Sequence, residues 1–547
     1  MPQAQTLPLQ RPHRVKSAHP FASAAMEIAW AAVALGIIVA VGALKLFTPF
    51  DGDQALFLYI AQAIDHGETL YVDVWDMKQP GVFWFYWLGG KIFGFSELSV
   101  KLLELAWMLA FAACLIVCLR RCFNFPWLSS VVAIAAIGSY YAFAGTREVT
   151  QVEMLISFPI FLSAWLLAFV YNSPRTAAVG RGLAGIFAGM SVSFKLFYAP
   201  LFIAFVLVAI VVTWWRTQPR PSFFGVAWSI LWPFTIGVAV VLGAVSLILW
   251  RQGSFDILLW NSFAYPLLAL GSSAEGTDLG RLARNFSWML VSMAPWLLFG
   301  LVSLCRLNDA REPAILRLML TWLLVGSVLI GLQSLMFWKY HFLLLFVPIA
   351  VLAARGIDLL LIGLTESRSS RWLTPAMLSL FFVLPAMGSI GYAAQRQAEQ
   401  FQAVALRPGN VDLESYRRAV GRDYGWIREN LSSLRNPAGG EPIYVFGDPL
   451  VYLITERRQA IPVNGWSWEA YPARLWQDLP QALMAARPGY IFVDQLAMTL
   501  IPKRSLEIDA FLASDYTVVR ELDKGRLYAR RSPPPDAEPD LGWHPGM

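Results

Sequence analysis

Uncharged apolar runs about as long as a bilayer is thick recur along this 547-residue chain, and they constrain its fold more than any other feature. They fall near residues 26–47, 98–119, 127–145, 152–171, 181–198, 200–215, 223–250, 286–304, 314–335, 341–362 and 373–395. Roughly 20 helical residues cross a hydrocarbon core about 30 Å thick, so the runs predict about 11 transmembrane helices. Strands of a transmembrane barrel would be about 10 residues long and alternate in polarity. Composition agrees: 57% of residues are hydrophobic and 15% charged, with a mean hydropathy of +0.52. The expected fold is an α-helical polytopic membrane protein.

Orientation follows from the loops. Residues 1–25 carry Arg11, His13, Arg14 and Lys16 and read as a cytoplasmic tail before a retained signal-anchor helix. With that end inside, the inner loops hold Arg120/Arg121, Arg175/Arg181, Arg216/Arg220, Arg306/Arg311/Arg317 and Arg368/Arg371. The positive-inside rule is then satisfied throughout. Loop 48–97, loop 251–285 and everything after residue 395 are expected on the periplasmic side.

The formal net charge of +6 does not indicate nucleic acid, because the basic residues are spread over short loops and form no patch. Four cysteines are too few for a disulfide framework. Cys114, Cys118 and Cys122 share one helix face and read as small buried hydrophobes, with a zinc site the weaker alternative.

After residue 395 the pattern changes. An amphipathic helix over Tyr416–Leu434 is followed by a strand at 442–447 and a short helix through Tyr452–Thr455. A strand follows at Tyr490–Val493, then a hairpin of 516–519 and 525–529 around Asp523-Lys524-Gly525. Residues 396–531 are therefore expected to form a small periplasmic α/β domain. The Pro-rich tail 532–547 is expected to be disordered. No internal repeat is visible, which weighs mildly against transporter folds built from duplicated halves.

The chemistry concentrates in loop 48–97, which holds Asp51-Gly-Asp53-Gln54, Tyr59, Gly67-Glu68, Tyr71-Val-Asp73 and Asp76-Met-Lys78-Gln-Pro80. Carboxylates this dense are costly beside a bilayer and mark a site. The short aromatic stretch 82–95 suits a helix lying at the interface. Asp51 and Asp53 together could form a two-carboxylate divalent-cation site, although hard cations want more oxygens than two side chains supply. Asp53 could equally cap a helix beginning at Gln54. Lys78 has a plainer reading as a snorkelling lysine, and His341 as an interfacial polar contact. Glu153 precedes an apolar run and should face a cavity. Loop 251–285, rich in Gly and Ser, could be a mobile gate or an ordinary linker.

The pattern Asp53-Gln54…Tyr59…Gly67-Glu68…Tyr71-x-Asp73-x2-Asp76-x-Lys78-x-Pro80 resembles the first luminal loop of GT-C glycosyltransferases. The matching members are the dolichyl-phosphate-mannose protein mannosyltransferases and bacterial lipid A 4-amino-arabinose transferases. The resemblance extends from about residue 26 to the last helix; Gln54 stands where the family has Glu, and Gln79 where it has Pro. It implies transfer of a sugar from a polyprenyl-phosphate carrier to a lipid, glycan or protein acceptor on the periplasmic face of a bacterial inner membrane.

In that reading Asp53 is the base and Glu153 a second catalytic acid. Lys78 meets the carrier phosphate, and Lys195, Arg147, Lys339, Tyr340, His341, Tyr59 and Asp76 bind substrate. Direct attack by the acceptor opposite the phosphate implies inversion. Two alternatives stay open: a flippase or transporter of lipid-linked sugar, and a non-catalytic relative, which Gln54 and Gln79 would suit.

Overall fold

The computed structural model describes residues 20–217, 219, 221–272, 279–304, 313–333, 337–366, 374–407, 410–436, 440–468 and 471–531. Most of the expected N-terminal tail, the tail 532–547, and the loop residues Arg220, Arg306, Arg311, Arg368 and Arg371 lie outside them.

Helix α1 (Pro20–Ala43) leads into a long connection that carries α2 (Asp53–Asp65) and α3 (Gly81–Phe93). Then come α4 (Glu97–Leu119), α5 (Leu128–Phe143), α6 (Val152–Ala168), α7 (Pro174–Phe194), α8 (Leu196–Arg216) and α9 (Phe223–Arg251). Helices α10 (Tyr265–Ser272), α11 (Leu279–Leu304), α12 (Pro313–Leu332), α13 (Lys339–Gly363) and α14 (Thr374–Ala405) complete the helical body. Among the described residues, eight helices are long and apolar enough to cross a membrane, and α5 and α6 are shorter apolar helices. The chain is a polytopic α-helical membrane protein, and the apolar runs fall where its helices are.

Two local departures have clear causes. Segment 251–285 is largely helical, with Phe255–Leu259, a π turn at Trp260–Ala264, and α10, while 273–278 lie outside the described residues. Pro266 falls directly after the π turn, where the α-helical hydrogen-bond ladder is already interrupted, so the helix continues through it. The expected helix Tyr416–Leu434 is instead α15 (Leu413–Val420) and α16 (Arg422–Leu431), broken at Gly421.

Helices α7 and α9 approach closely through glycine. A Cβ on Gly185 would lie 2.0 Å from the Phe234 carbonyl, and one on Gly237 2.0 Å from that of Gly182. Small residues allow such backbone proximity where lipid supplies no hydrophobic drive between helices.

The C-terminal domain has a four-stranded sheet of β1 (Ile443–Phe446), β2 (Tyr490–Asp494), β3 (Tyr516–Leu522) and β4 (Gly525–Arg530), in the order β1-β2-β4-β3. Strands β1 and β2 are parallel, and the β3–β4 hairpin pairs antiparallel onto β2. All four residues of β1 are buried, which explains an apolar run without alternation. Helices α17 (Leu450–Thr455), α18 (Ala473–Ala486), α19 (Gln495–Arg504) and α20 (Leu506–Asp515) cover the sheet. This domain sits on the face of the helical body where α1 ends, α4 and α6 begin, and α14 ends.

Candidate functional site

Asp53 opens α2. Residue Gly52 holds the N-cap position with no side-chain cap, so Asp53 is the first helical residue and not the cap its position suggested. Gly52 has φ +60°, and a Cβ there would lie 2.7 Å from the Trp466 ring, so the chain passes tightly beneath that indole. Trp466 Nε1 donates to Asp53 Oδ1 at 2.6 Å, and the Tyr340 hydroxyl donates to Oδ2 at 3.3 Å. The Lys78 ammonium lies 3.5 Å from Asp53 Oδ2 and 3.9 Å from Asp76 Oδ2, with its charge 4.9 Å above the Phe57 ring.

The Lys78 loop is held on several sides. Asp76 Oδ1 accepts from the Lys78 N–H at 2.9 Å, and the Tyr71 hydroxyl donates to the Lys78 carbonyl at 2.7 Å. Asn261 donates to the Asp76 carbonyl at 3.0 Å and accepts from the Trp75 indole at 3.1 Å. From the C-terminal domain, Asn464 donates to the Trp75 carbonyl at 2.6 Å. A carboxylate and a cation held by this many contacts are preorganised.

Electrostatics follow from burial. Burial pushes the Asp53 carboxyl up, but the Lys78 charge and hydrogen bonds from Trp466, Lys78 and Tyr340 outweigh it and hold the group below the usual carboxylate range. Burial pulls Lys78 down, and the charges of Asp53 and Asp76 more than restore it. Asp76 is raised, chiefly by burial, with Lys78 opposing.

A second pair adjoins the first. Glu153, in the first turn of α6 and 1% exposed, accepts from Lys195 Nζ at 2.7 Å and from the Tyr198 hydroxyl at 3.0 Å. Lys195 also donates to Gln333 at 3.0 Å. Gln79 joins the two pairs, its side-chain oxygen accepting the Leu196 N–H at 3.0 Å. Glu153 contributes to the field at Lys78, and both lysines act on buried His341. Gln54 accepts the Asp51 N–H at 3.2 Å and donates to the Val149 carbonyl; a glutamate could not make that donation.

The other expected site residues lie elsewhere. Asp51 turns away from Asp53: Arg147 Nε is 3.0 Å from Asp51 Oδ1, and Arg147 Nη2 is 2.9 Å from Asp423 of the C-terminal domain. Asp51, Asp423 and Asp448 bring one carboxylate oxygen each within 4.8 Å of one another, so a divalent cation would find Asp448 and Asp423 beside Asp51 rather than Asp53. Arg147 already supplies positive charge to that cluster. Tyr59 stacks on Tyr452 at 5.0 Å and accepts the Gln459 N–H at 2.7 Å, so it packs against the C-terminal domain. Lys339 is exposed and has no ion pair among the described residues. The Cys114 and Cys118 thiols lie 3.7 Å apart and are free.

Sequence reasoning missed Trp466, Asn464, Asn261, Tyr198 and Gln333. The aromatic turn Asn464-Gly-Trp466-Ser-Trp468 was the only local signal for the first two.

Comparisons with known proteins agree with this architecture. The family model described as dolichyl-phosphate-mannose-protein mannosyltransferase matches residues 77–250, about a third of the chain, including Lys78, Glu153 and Lys195. ArnT from Cupriavidus metallidurans, solved with undecaprenyl phosphate bound, superposes with a TM-score of 0.55 at 13% identity over 92% of this chain and 97% of that one. Its apo form superposes with a TM-score of 0.58 at 13% identity, covering 93% and 98%. No curated protein matches the sequence. The chain has the GT-C glycosyltransferase fold, in the form that resembles the protein mannosyltransferases and ArnT.

Proposed function

From this GT-C fold and its paired base and cation, we propose that the protein is a membrane glycosyltransferase. It moves a sugar from a polyprenyl-phosphate carrier to a lipid, glycan or protein acceptor, on the extracytoplasmic face of a bacterial inner membrane. The observation that carries this reading is the pair of buried Asp53 and half-buried Lys78, 3.5 Å apart, at the face of the helical body that bears the C-terminal domain. Transporters instead concentrate charge at mid-membrane.

The chemistry divides between the two residues. Lys78 meets the carrier phosphate as a compact point charge and opposes the negative charge that grows as the glycosidic C–O bond breaks. Asp53 takes the proton from the acceptor hydroxyl or amine as that atom attacks the anomeric carbon opposite the phosphate, so the centre inverts. Before donor binds, Lys78 keeps Asp53 a weak base. A carrier phosphate that draws the ammonium away removes the strongest charge favouring carboxylate, and Asp53 becomes more basic as the donor arrives. Lys195 and Glu153 form a second, neutral-on-balance pair beside the phosphate position, and Tyr340 orients Asp53.

Incubating the purified full chain with a panel of radiolabelled polyprenyl-phosphate sugars and membrane extract tests this function. A transferase releases polyprenyl phosphate and labels an acceptor, whereas a flippase leaves the sugar on its carrier. An alkaline phosphatase fusion after residue 547 reports the orientation and should be active.

A further inference from the structure

A second cleft lies away from Asp53. At 100° per residue, Leu58, Tyr59, Gln62, Ala63 and His66 lie on the side of α2 opposite Asp53 and Phe57. They form one wall of a cleft of about 690 Å³, and the C-terminal domain forms the other. Its floor includes Phe95 and Leu98, at the start of the membrane-length helix α4, so it opens at the level where the bilayer meets water.

Five arginines line the cleft: Arg417, Arg428, Arg435, Arg457 and Arg458, against three acids, Glu68, Glu97 and Glu456. Arg417 is 2.5 Å from Glu97 and stacks 4.5 Å over Tyr424, while its buried Nε has no hydrogen-bond partner. Among the described residues, Arg428 bonds Glu414 through Nε alone, at 3.2 Å. Arg458 is exposed and in no ion pair among the described residues. Guanidinium groups with unused donors, on a concave surface with an apolar floor, suit a phosphate oxygen cluster attached to something greasy.

We propose that this cleft binds a phosphate anion, presented by the headgroup of an amphiphile in the adjoining leaflet or free in solution, at a site separate from Asp53 and Lys78. The tetrahedral oxygens meet Arg428 and Arg458 at the mouth and Arg417 deeper in. The apolar floor of Phe95, Leu98 and Leu453 receives the first carbons of a lipid. Tyr59 and Tyr452 set the cleft's rear wall through their stacking.

Native mass spectrometry of the detergent-solubilised full chain, titrated with phosphatidic acid, phosphatidylcholine or inorganic pyrophosphate, tests the site. Phosphatidic acid should bind at least about tenfold more tightly than phosphatidylcholine. The Arg428→Ala/Arg458→Ala double variant should weaken it by about tenfold or more at unchanged thermal midpoint, the scale for losing a hydrogen bond to a charged group. If that variant does not fold, Arg458→Glu, at an exposed position, should show the weakening alone. Pyrophosphate binding as tightly as the lipid assigns the site to a free anion, and binding of the lipid alone assigns it to a headgroup. Equal binding of the two lipids, undiminished binding in the folded variants, or binding of neither phosphate probe overturns the proposal.

Discussion

The Lys78 ammonium lies 3.5 Å from Asp53 Oδ2, so a buried carboxylate already holds the cation that a substrate phosphate would compete for. Each residue conditions the other. Replacing Lys78 by Met should lower turnover by about 10²-fold or more, the scale for losing one preorganised stabiliser. Lys78→Arg should recover part of the loss, because the charge returns with a different shape. Release of polyprenyl phosphate from a labelled donor is the readout. Unchanged turnover at normal expression would move the phosphate contact to Lys195.

Trp466 reaches Asp53 from 413 positions away in sequence and donates a 2.6 Å hydrogen bond to the carboxylate. That bond favours the ionised form and lowers the Asp53 pKa. Trp466→Phe keeps a ring over Gly52 but removes the donor, so the Asp53 pKa should rise. The base is then lost at a higher pH, and the acid limb of the pH–rate profile should move upward. An unmoved acid limb would separate Asp53 from that limb.

Much of this site was legible in the sequence, and the reason is local density. Asp53, Asp76 and Lys78 fall within 26 residues of one loop, where charge beside a bilayer stands out. The membrane helices were legible because length and hydropathy are one-dimensional properties. What could not be read is what the C-terminal domain brings. Asp51 pairs in sequence with Asp53, yet it turns to Arg147, Asp423 and Asp448, because a helix start and a domain contact separate two carboxylates only two residues apart. Tyr59 looked like part of the substrate site, but it lies on the other face of α2 and packs on Tyr452. The segment after residue 251 hid its helices behind Tyr265-Pro266 and a glycine-serine run.

Glu153 and Lys195 form a pair 2.7 Å apart, with side-chain exposures of 1% and 19%. Removing one partner of a buried pair leaves the other uncompensated, at about 3–5 kcal/mol when burial is complete. Glu153→Gln should therefore destabilise the chain by about 3 kcal/mol, the low end, because Lys195 retains some access to water. Adding Lys195→Met should restore part of that stability. Thermal midpoints of the single and double variants in detergent measure both effects, and a double variant less stable than the single would refute the pairing argument.

Asp448 carries a pH dependence of stability. Burial, with the Asp51 charge, raises its carboxyl well above the usual range, while the Leu450 N–H and the Arg147 charge oppose. The folded protein thus keeps a proton that the unfolded chain has released. Stability is full below the unfolded value and is lost as pH rises through the folded one. Asp448→Asn retains an oxygen for the Gly52 and Leu450 N–H groups, which lie 3.2 and 2.9 Å from Oδ1. Its thermal midpoint should exceed that of the wild type at alkaline pH and vary less with pH. Parallel curves for the two proteins would assign the titration elsewhere.

Asp53→Asn tests the account most directly. The amide keeps the size of the side chain; its one oxygen can still accept from Trp466 while its NH2 donates to the Tyr340 hydroxyl, so folding and membrane insertion should be normal. It cannot take a proton from the acceptor, and turnover should fall by about 10²–10⁴-fold, the range for a positioned base. Donor binding should persist through Lys78. Turnover near the wild-type value in Asp53→Asn, alongside an inactive but folded Glu153→Gln, would contradict the assignment and make Glu153 the base.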